Sequence, residues 1–190
     1  MGAVAQLAFA LLLCLGLVLT ASAHESPVDH VERELRLWVE AGRLHLSYRI
    51  QQSERAVLLQ LHRMDTSGDG VVAEAEREAF FAAQARRIAG LFVLEVDGQP
   101  LQLIPAGGAK LDARLGQTFT FTAPLAGLRP GRHAGRLEDG YSRLYPGPFR
   151  WLGGGEGRGP RVELLAKPDA ARSPLHPAWL AVKFHVVVPE

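Results

Sequence analysis

Leu35, Leu37 and Val39 alternate with Arg36, Trp38 and Glu40. After Glu40-Ala41-Gly42-Arg43 the alternation resumes, with Leu44, Leu46, Tyr48 and Ile50 against His45, Ser47 and Arg49. A period of two puts successive side chains on opposite faces of an extended strand. Two such runs joined by a short connection read as a β-hairpin with one apolar face.

Other strand signals lie further along the chain. Phe92 to Val96, the Asp97-Gly98 turn and Leu101 to Ile104 read as a second hairpin. Phe119 to Thr122, Gly131 to Leu137, Arg161 to Ala166 and Leu180 to Val188 carry the rest. Residues 138 to 160, EDGYSRLYPGPFRWLGGGEGRGP, read as a loop dense in Gly and Pro. Between the hairpins lie two helical stretches. One is capped by Ser53 and runs to Met64; the other, AEAEREAFFAAQARRIAGLF, stops near Gly90. The expected fold is therefore α+β: an antiparallel β-sandwich of immunoglobulin-like kind with an inserted helix-loop-helix. No internal repeat is visible, so residues 24–190 read as one domain, with the insertion at about 53–91.

The connection between the helices, DTSGDGVVAEAE at 65–76, has the spacing of a calcium loop of the EF-hand type. Ca²⁺ takes six to eight oxygens, which such a loop supplies from its positions 1, 3, 5, 7, 9 and 12. These positions are Asp65, Ser67, Asp69, the Val71 carbonyl, Ala73 and Glu76, and Gly70 stands at the sixth position, where the chain turns sharply. A polar turn whose acids merely cap the second helix accounts for Glu74 and Glu76 but not for the Asp65, Asp69, Gly70 spacing. Ser67 replaces a carboxylate, Ala73 offers no side-chain ligand, and no second loop of this pattern occurs. Affinity is therefore expected to be on the order of 10⁻⁴ to 10⁻³ M, as in extracellular modules.

Residues 1–23 carry no charged side chain, and their apolar run ends in Ala21-Ser22-Ala23, a small-x-small site for signal peptidase. We read them as a signal peptide and expect a periplasmic or secreted protein. Cys14, the single cysteine, falls inside that leader, so no disulfide holds the exported part. Basic and acidic residues nearly cancel, 21 against 20, without blocks of one sign. That balance points away from nucleic acid and from anionic membrane surfaces. No later segment is apolar and long enough to span a bilayer as a helix.

The AH junction at 23–24, the hairpin and LQLHRMDTSGDGVVAEAEREAFFAAQARRIAGLFVLEVDGQPLQL together resemble a known family. They are similar to the exported N-terminal region of bacterial nickel/cobalt transporters of the HupE/UreJ type. The likeness covers roughly residues 23 to 104, including Leu94, Val96, Asp97, Gly98, Pro100 and Leu101 in an LxVDGxPL hairpin, and more loosely PGRHAGRLEDGYSRLYPGPFRWL at 130–152. The polytopic domain that moves metal in that family has no counterpart here. The resemblance thus implies not transport but an extracytoplasmic calcium-loop module serving a separate membrane transporter as partner.

A second reading uses nitrogen. If cleavage exposes His24, its amine and imidazole together suit Cu²⁺ or Ni²⁺, with His30 close in sequence. The competing view is an exposed tail with a histidine left at the cleavage site. His45 and His185 occupy polar strand phases and read as solvent-facing; hairpin or core packing is expected for Trp38, Tyr145 and Trp151. There is no G-x-S-x-G elbow, no H-E-x-x-H, no P-loop and no recognisable triad order, and we expect no catalytic activity.

N-terminal sequencing of the exported protein should begin at His24. A start at Met1, or well downstream of His24, overturns both the cleavage site and the nitrogen-ligand reading.

Overall fold

The computed structural model of the chain describes residues 31–112, 114–145, 147–152, 159–165 and 180–189. The expected signal peptide, His24 and His30 lie outside them, as does Ala166.

The first alternating run is strand β1 (Val31–Glu40) and the second β2 (Arg43–Gln52), paired antiparallel with Leu35 opposite Tyr48 and Trp38 opposite His45. Between them Ala41 and Gly42 have φ of 49° and 70°. Two successive positive φ angles make the turn whose twist matches that of the flanking strands. Asp97 and Gly98, at 50° and 73°, repeat the device between β3 (Phe92–Val96) and β4 (Gln99–Leu101). Trp38 and His45 stack across the first hairpin with ring centroids 5.0 Å apart, so the expected hairpin packing of Trp38 holds.

The remaining strands are β5 (Ile104–Pro105), β6 (Lys110–Leu111), β7 (Gln117–Pro124), β8 (Gly131–Asp139), β9 (Phe149–Trp151), β10 (Arg161–Leu164) and β11 (Leu180–Val188). They build two sheets. One has the order β5-β7-β2-β1-β9, with β6 also on β7; the other runs β10-β11-β8-β3-β4. The inner faces meet through aromatic edges: Tyr48 packs T-shaped on Phe92 at 5.1 Å, and Phe92 lies 6.2 Å from Phe121 of β7. The fold is an α+β sandwich-like arrangement of two mostly antiparallel sheets.

Helices α1 (Glu54–Met64) and α2 (Glu74–Ala89) carry the chain from the first sheet to the second. Ser53 caps α1 by accepting from the Ala56 N–H at 3.3 Å. The pair is anchored by Ala56, Val57 and Met64 on α1 and by Phe81, Ala85 and Ile88 on α2. Phe81 reaches Phe119 of β7 at 6.3 Å. Among the described residues no helix is long and apolar enough to cross a membrane.

Three features correct the expectations from sequence. The partner of β3 ends at Leu101; Leu103 is buried and Ile104–Pro105 pair with β7 in the other sheet. Pro105 lacks an N–H, which an edge strand tolerates. Residues 138–160 are not simply loop: β8 runs to Asp139, helix α3 (Tyr141–Leu144) comes next, and β9 pairs parallel to β1. A three-residue strand whose partner lies far back in the chain leaves no periodicity to read.

The third is a charge in the core. Arg33 faces inward from β1 between Val31 and Leu35 and is 2% exposed. Its Nε donates to the Tyr48 hydroxyl at 2.9 Å and lies 3.5 Å from Asp139 Oδ2. An Nη donates to the Val31 carbonyl, and the guanidinium lies over the Tyr141 ring at 5.8 Å. The Tyr48 hydroxyl donates to Asp139 Oδ2 at 2.9 Å, while Asp139 Oδ1 accepts from the N–H groups of Tyr141 and Ser142. Burial pushes the Tyr48 phenol well above its ordinary range, so it stays a donor. Burial also raises the Asp139 carboxyl, and the Arg33 cation opposes it. Every partner of Asp139's carboxyl oxygens is a donor, which is the setting of a carboxylate.

Replacing one member of a buried pair strands the other charge, a loss of about 3–5 kcal/mol. Asp139→Ala should therefore melt on the order of 10 °C lower, given the size of the domain. Asp139→Asn, which keeps an acceptor, should lose less. Denaturant melts placing Asp139→Ala within about 1 kcal/mol of the parent would remove this network as a structural tie.

Candidate metal centre

The loop 65–76 joins α1 to α2 on the surface, and its conformation is set by its own carboxylates. Asp65, directly after α1, turns back along the loop. Its Oδ1 accepts from the Gly68 N–H at 2.7 Å and the Ser67 hydroxyl at 3.1 Å, and its Oδ2 from the Gly70 N–H at 2.8 Å. Gly68 and Gly70 adopt φ of 74° and 84°, a region that excludes most side chains. Asp69 Oδ1 accepts from the Val71 N–H at 2.8 Å.

Glu76 closes the loop from its far end. Its Oε1 accepts from the N–H and hydroxyl of Thr66, at 2.9 and 2.8 Å, and from the Ser67 N–H at 2.8 Å. Its Oε2 accepts from the Ala73 N–H at 3.0 Å, half of a capping box at the start of α2. Ala73 itself has no side-chain oxygen, so Glu76 does the capping. Thr66 takes part without having been a candidate from sequence; the spacing of the motif assigns no role to the second position.

These contacts leave their mark on the acidities. The Ala73 N–H first, then the Thr66 hydroxyl and Ser67 N–H, hold the Glu76 carboxyl down to about 2. Asp65 is lowered too, chiefly by the Gly70 N–H. The carboxylates are stabilised as anions by dipoles at the protein surface.

The structure thus brings Asp65 and Ser67 together and brings Glu76 back to Thr66 and Ser67, whereas the Asp69 carboxylate accepts from the Val71 N–H. Among the described residues no group of three or more His, Cys, Asp or Glu side chains stands placed to hold a metal ion. The chemistry of the donors fits a hard cation. Every candidate ligand is oxygen: the carboxylates of Asp65, Asp69 and Glu76, the Ser67 hydroxyl and the Val71 carbonyl. Asp69 Oδ2 and the Val71 carbonyl make no hydrogen bond to a described residue. A cation here would supply charge that ties the two helix ends together.

Comparison with protein families, curated proteins and solved structures finds no match to this chain.

The depressed acidity gives a pH window. Glu76 is lower in the folded chain than its ordinary 4.5, so its closure of the loop is complete above that value and is lost as pH falls toward about 2. The backbone amide resonances of Thr66, Ser67 and Ala73 should titrate together near the lower end of that window. A common midpoint at the ordinary carboxylate value would show that Glu76 does not hold the loop.

Proposed function

We propose that the chain is an exported, non-catalytic calcium-binding module, with an EF-hand-like loop at 65–76 carried between two helices of a β-sandwich. The observation that carries this reading is the closure of the loop by Glu76. A carboxylate at the twelfth position bonds back to the second and third, across a glycine turn at the sixth. A simple helix-capping turn requires only the bond to Ala73. Oxygen donors at Asp65, Ser67, Asp69, Val71 and Glu76 favour Ca²⁺ over softer ions. The role as accessory or interaction partner of a nickel or cobalt transporter rests on the likeness of residues 23 to 104 to that family's exported region.

With affinity on the order of 10⁻⁴ to 10⁻³ M, about 10 mM Ca²⁺ should stabilise the native state by about 1 to 3 kcal/mol. The melting temperature then rises by several degrees. Glu76→Gln removes one charge at nearly constant size and should lose most of that shift while keeping the strand content of the parent. Calorimetry silent at 10 mM Ca²⁺, with an unmoved melting temperature, leaves the loop as a turn and ends the proposal.

A further inference from the structure

The two inserted helices carry facing stripes that the core does not cover. On α1, Leu59, Gln60 and Arg63 share one face; on α2, Phe80, Gln84 and Arg87 do the same, at the spacing of successive helical turns. Tyr141 and Tyr145 of the α3 turn close the far side. Together they line a cleft of about 420 Å³, open to solvent. Volumes of roughly 300–1,000 Å³ are those of small-molecule sites.

Its charge is one-sided. Two arginines line the cleft and no carboxylate does. Arg63 and Arg87 are exposed, and neither makes an ion pair or hydrogen bond to a described residue. The walls also carry apolar surface that water does not favour: Leu59 is 47% exposed, and Phe80 is half-buried. Tyr141 and Tyr145 pack against each other at 4.7 Å, and the Tyr141 hydroxyl has no hydrogen-bond partner among the described residues. Burial pushes that phenol up to about 12, so it remains a donor. An ordinary solvated helix face mixes both signs of charge and is convex; this one is concave, cationic and greasy.

We propose that this cleft binds a small organic anion, with a carboxylate or phosphate head held by Arg63 and Arg87 and an apolar body against Leu59, Phe80 and Tyr145. Guanidinium groups match both heads with paired N–H donors. The aromatic walls give the body a surface on which to lie. The site uses none of the loop's ligands and stands apart from the calcium reading.

Three probes of one shape test it on the purified, ¹⁵N-labelled protein: phenylacetate, phenyl phosphate and neutral phenylacetamide. Ligands of this size should bind with Kd of roughly 1–10 mM. Amide shifts should cluster at 59–63, 80–87 and 141–145. Phenylacetamide should bind at least about tenfold more weakly than the anions, the scale of one charge-assisted hydrogen bond. The stronger of the two anions identifies the head group. The double variant R63Q/R87Q, altered only at exposed positions, should lose anion binding by about the same factor while its spectrum elsewhere stays that of the parent. Leu59→Ala should weaken all three probes together. Shifts scattered away from the cleft, equal binding of amide and anions, or undiminished affinity in R63Q/R87Q would each overturn the proposal. So would the absence of binding at tens of millimolar. Should R63Q/R87Q lose the parent spectrum, the single variants R63Q and R87Q carry the same test.

Discussion

A guanidinium inside a sandwich core needs an anion within reach, and the ion pair of Arg33 with Asp139 is the constraint around which this molecule is arranged. It draws on both sheets: Arg33 from β1, the Tyr48 hydroxyl from β2 and Asp139 from β8. Side chains of ordinary apolar type allow the two sheets to slide by small repacking; a buried pair with directed hydrogen bonds does not. The same carboxylate also shapes the next turn of the chain. Oδ1 of Asp139 takes the N–H groups of Tyr141 and Ser142 and so starts α3, while the Ser142 hydroxyl donates back to the Asp139 carbonyl at 2.6 Å. Gly140 sits at this corner because a Cβ there would come within 2.4 Å of the Leu91 carbonyl oxygen. The end of β8, the approach to β3 and the position of Tyr141 all depend on that one pair.

The helical insertion hangs from this frame without sharing its chemistry. Phe81, Ala85 and Ile88 bind α2 to the core, and Ala56, Val57 and Met64 bind α1. The loop between them is exposed and held by hydrogen bonds among its own residues. A segment with few apolar contacts opens at lower free energy than the core around it. Changes in the loop should therefore be felt in its own order and in the angle between the helices, not in the sheets.

Much of this architecture was legible because period two is a robust signal over ten residues. Both strands of the first hairpin, the Asp97-Gly98 turn, the Ser53 cap and the long final strand stand where their residues place them. The same rule, extended four residues back from Leu35, puts Arg33 and Val31 on the inward face, and carried through β8 it puts Asp139 there as well. A charged residue on an apolar phase was the available signal for the buried pair. Its partner was not visible, because pairing across sheets depends on tertiary register. The short strands escaped for a different reason. Ile104–Pro105 and Phe149–Trp151 are too brief to show a period, and both are strands only because distant edges, β7 and β1, accept them. In the loop the oxygen-bearing side chains and the glycine turn were readable from spacing. The engagement of Thr66 and the division of Glu76 between two ends of the loop were not.

The acidity of the loop also bears on which cation the proposed site would take. With Glu76 held near 2 and Asp65 lowered, protons do not compete for these oxygens at neutral pH. The competitors are the loop's own N–H groups on Thr66, Ser67 and Ala73, which a cation must displace or share at Glu76. Mg²⁺ sheds water reluctantly and demands near-octahedral geometry, a poor match to a loop with one serine and one alanine among its ligand positions. Ca²⁺ accepts irregular sets of six to eight oxygens and keeps water where a side chain is missing, as at Ala73. Copper and nickel prefer nitrogen, which the loop lacks and His24 and His30 would offer. On the proposed reading a hard cation would belong to the loop and a nitrogen-seeking ion to His24 and His30, because donors that are all oxygen discriminate against softer ions.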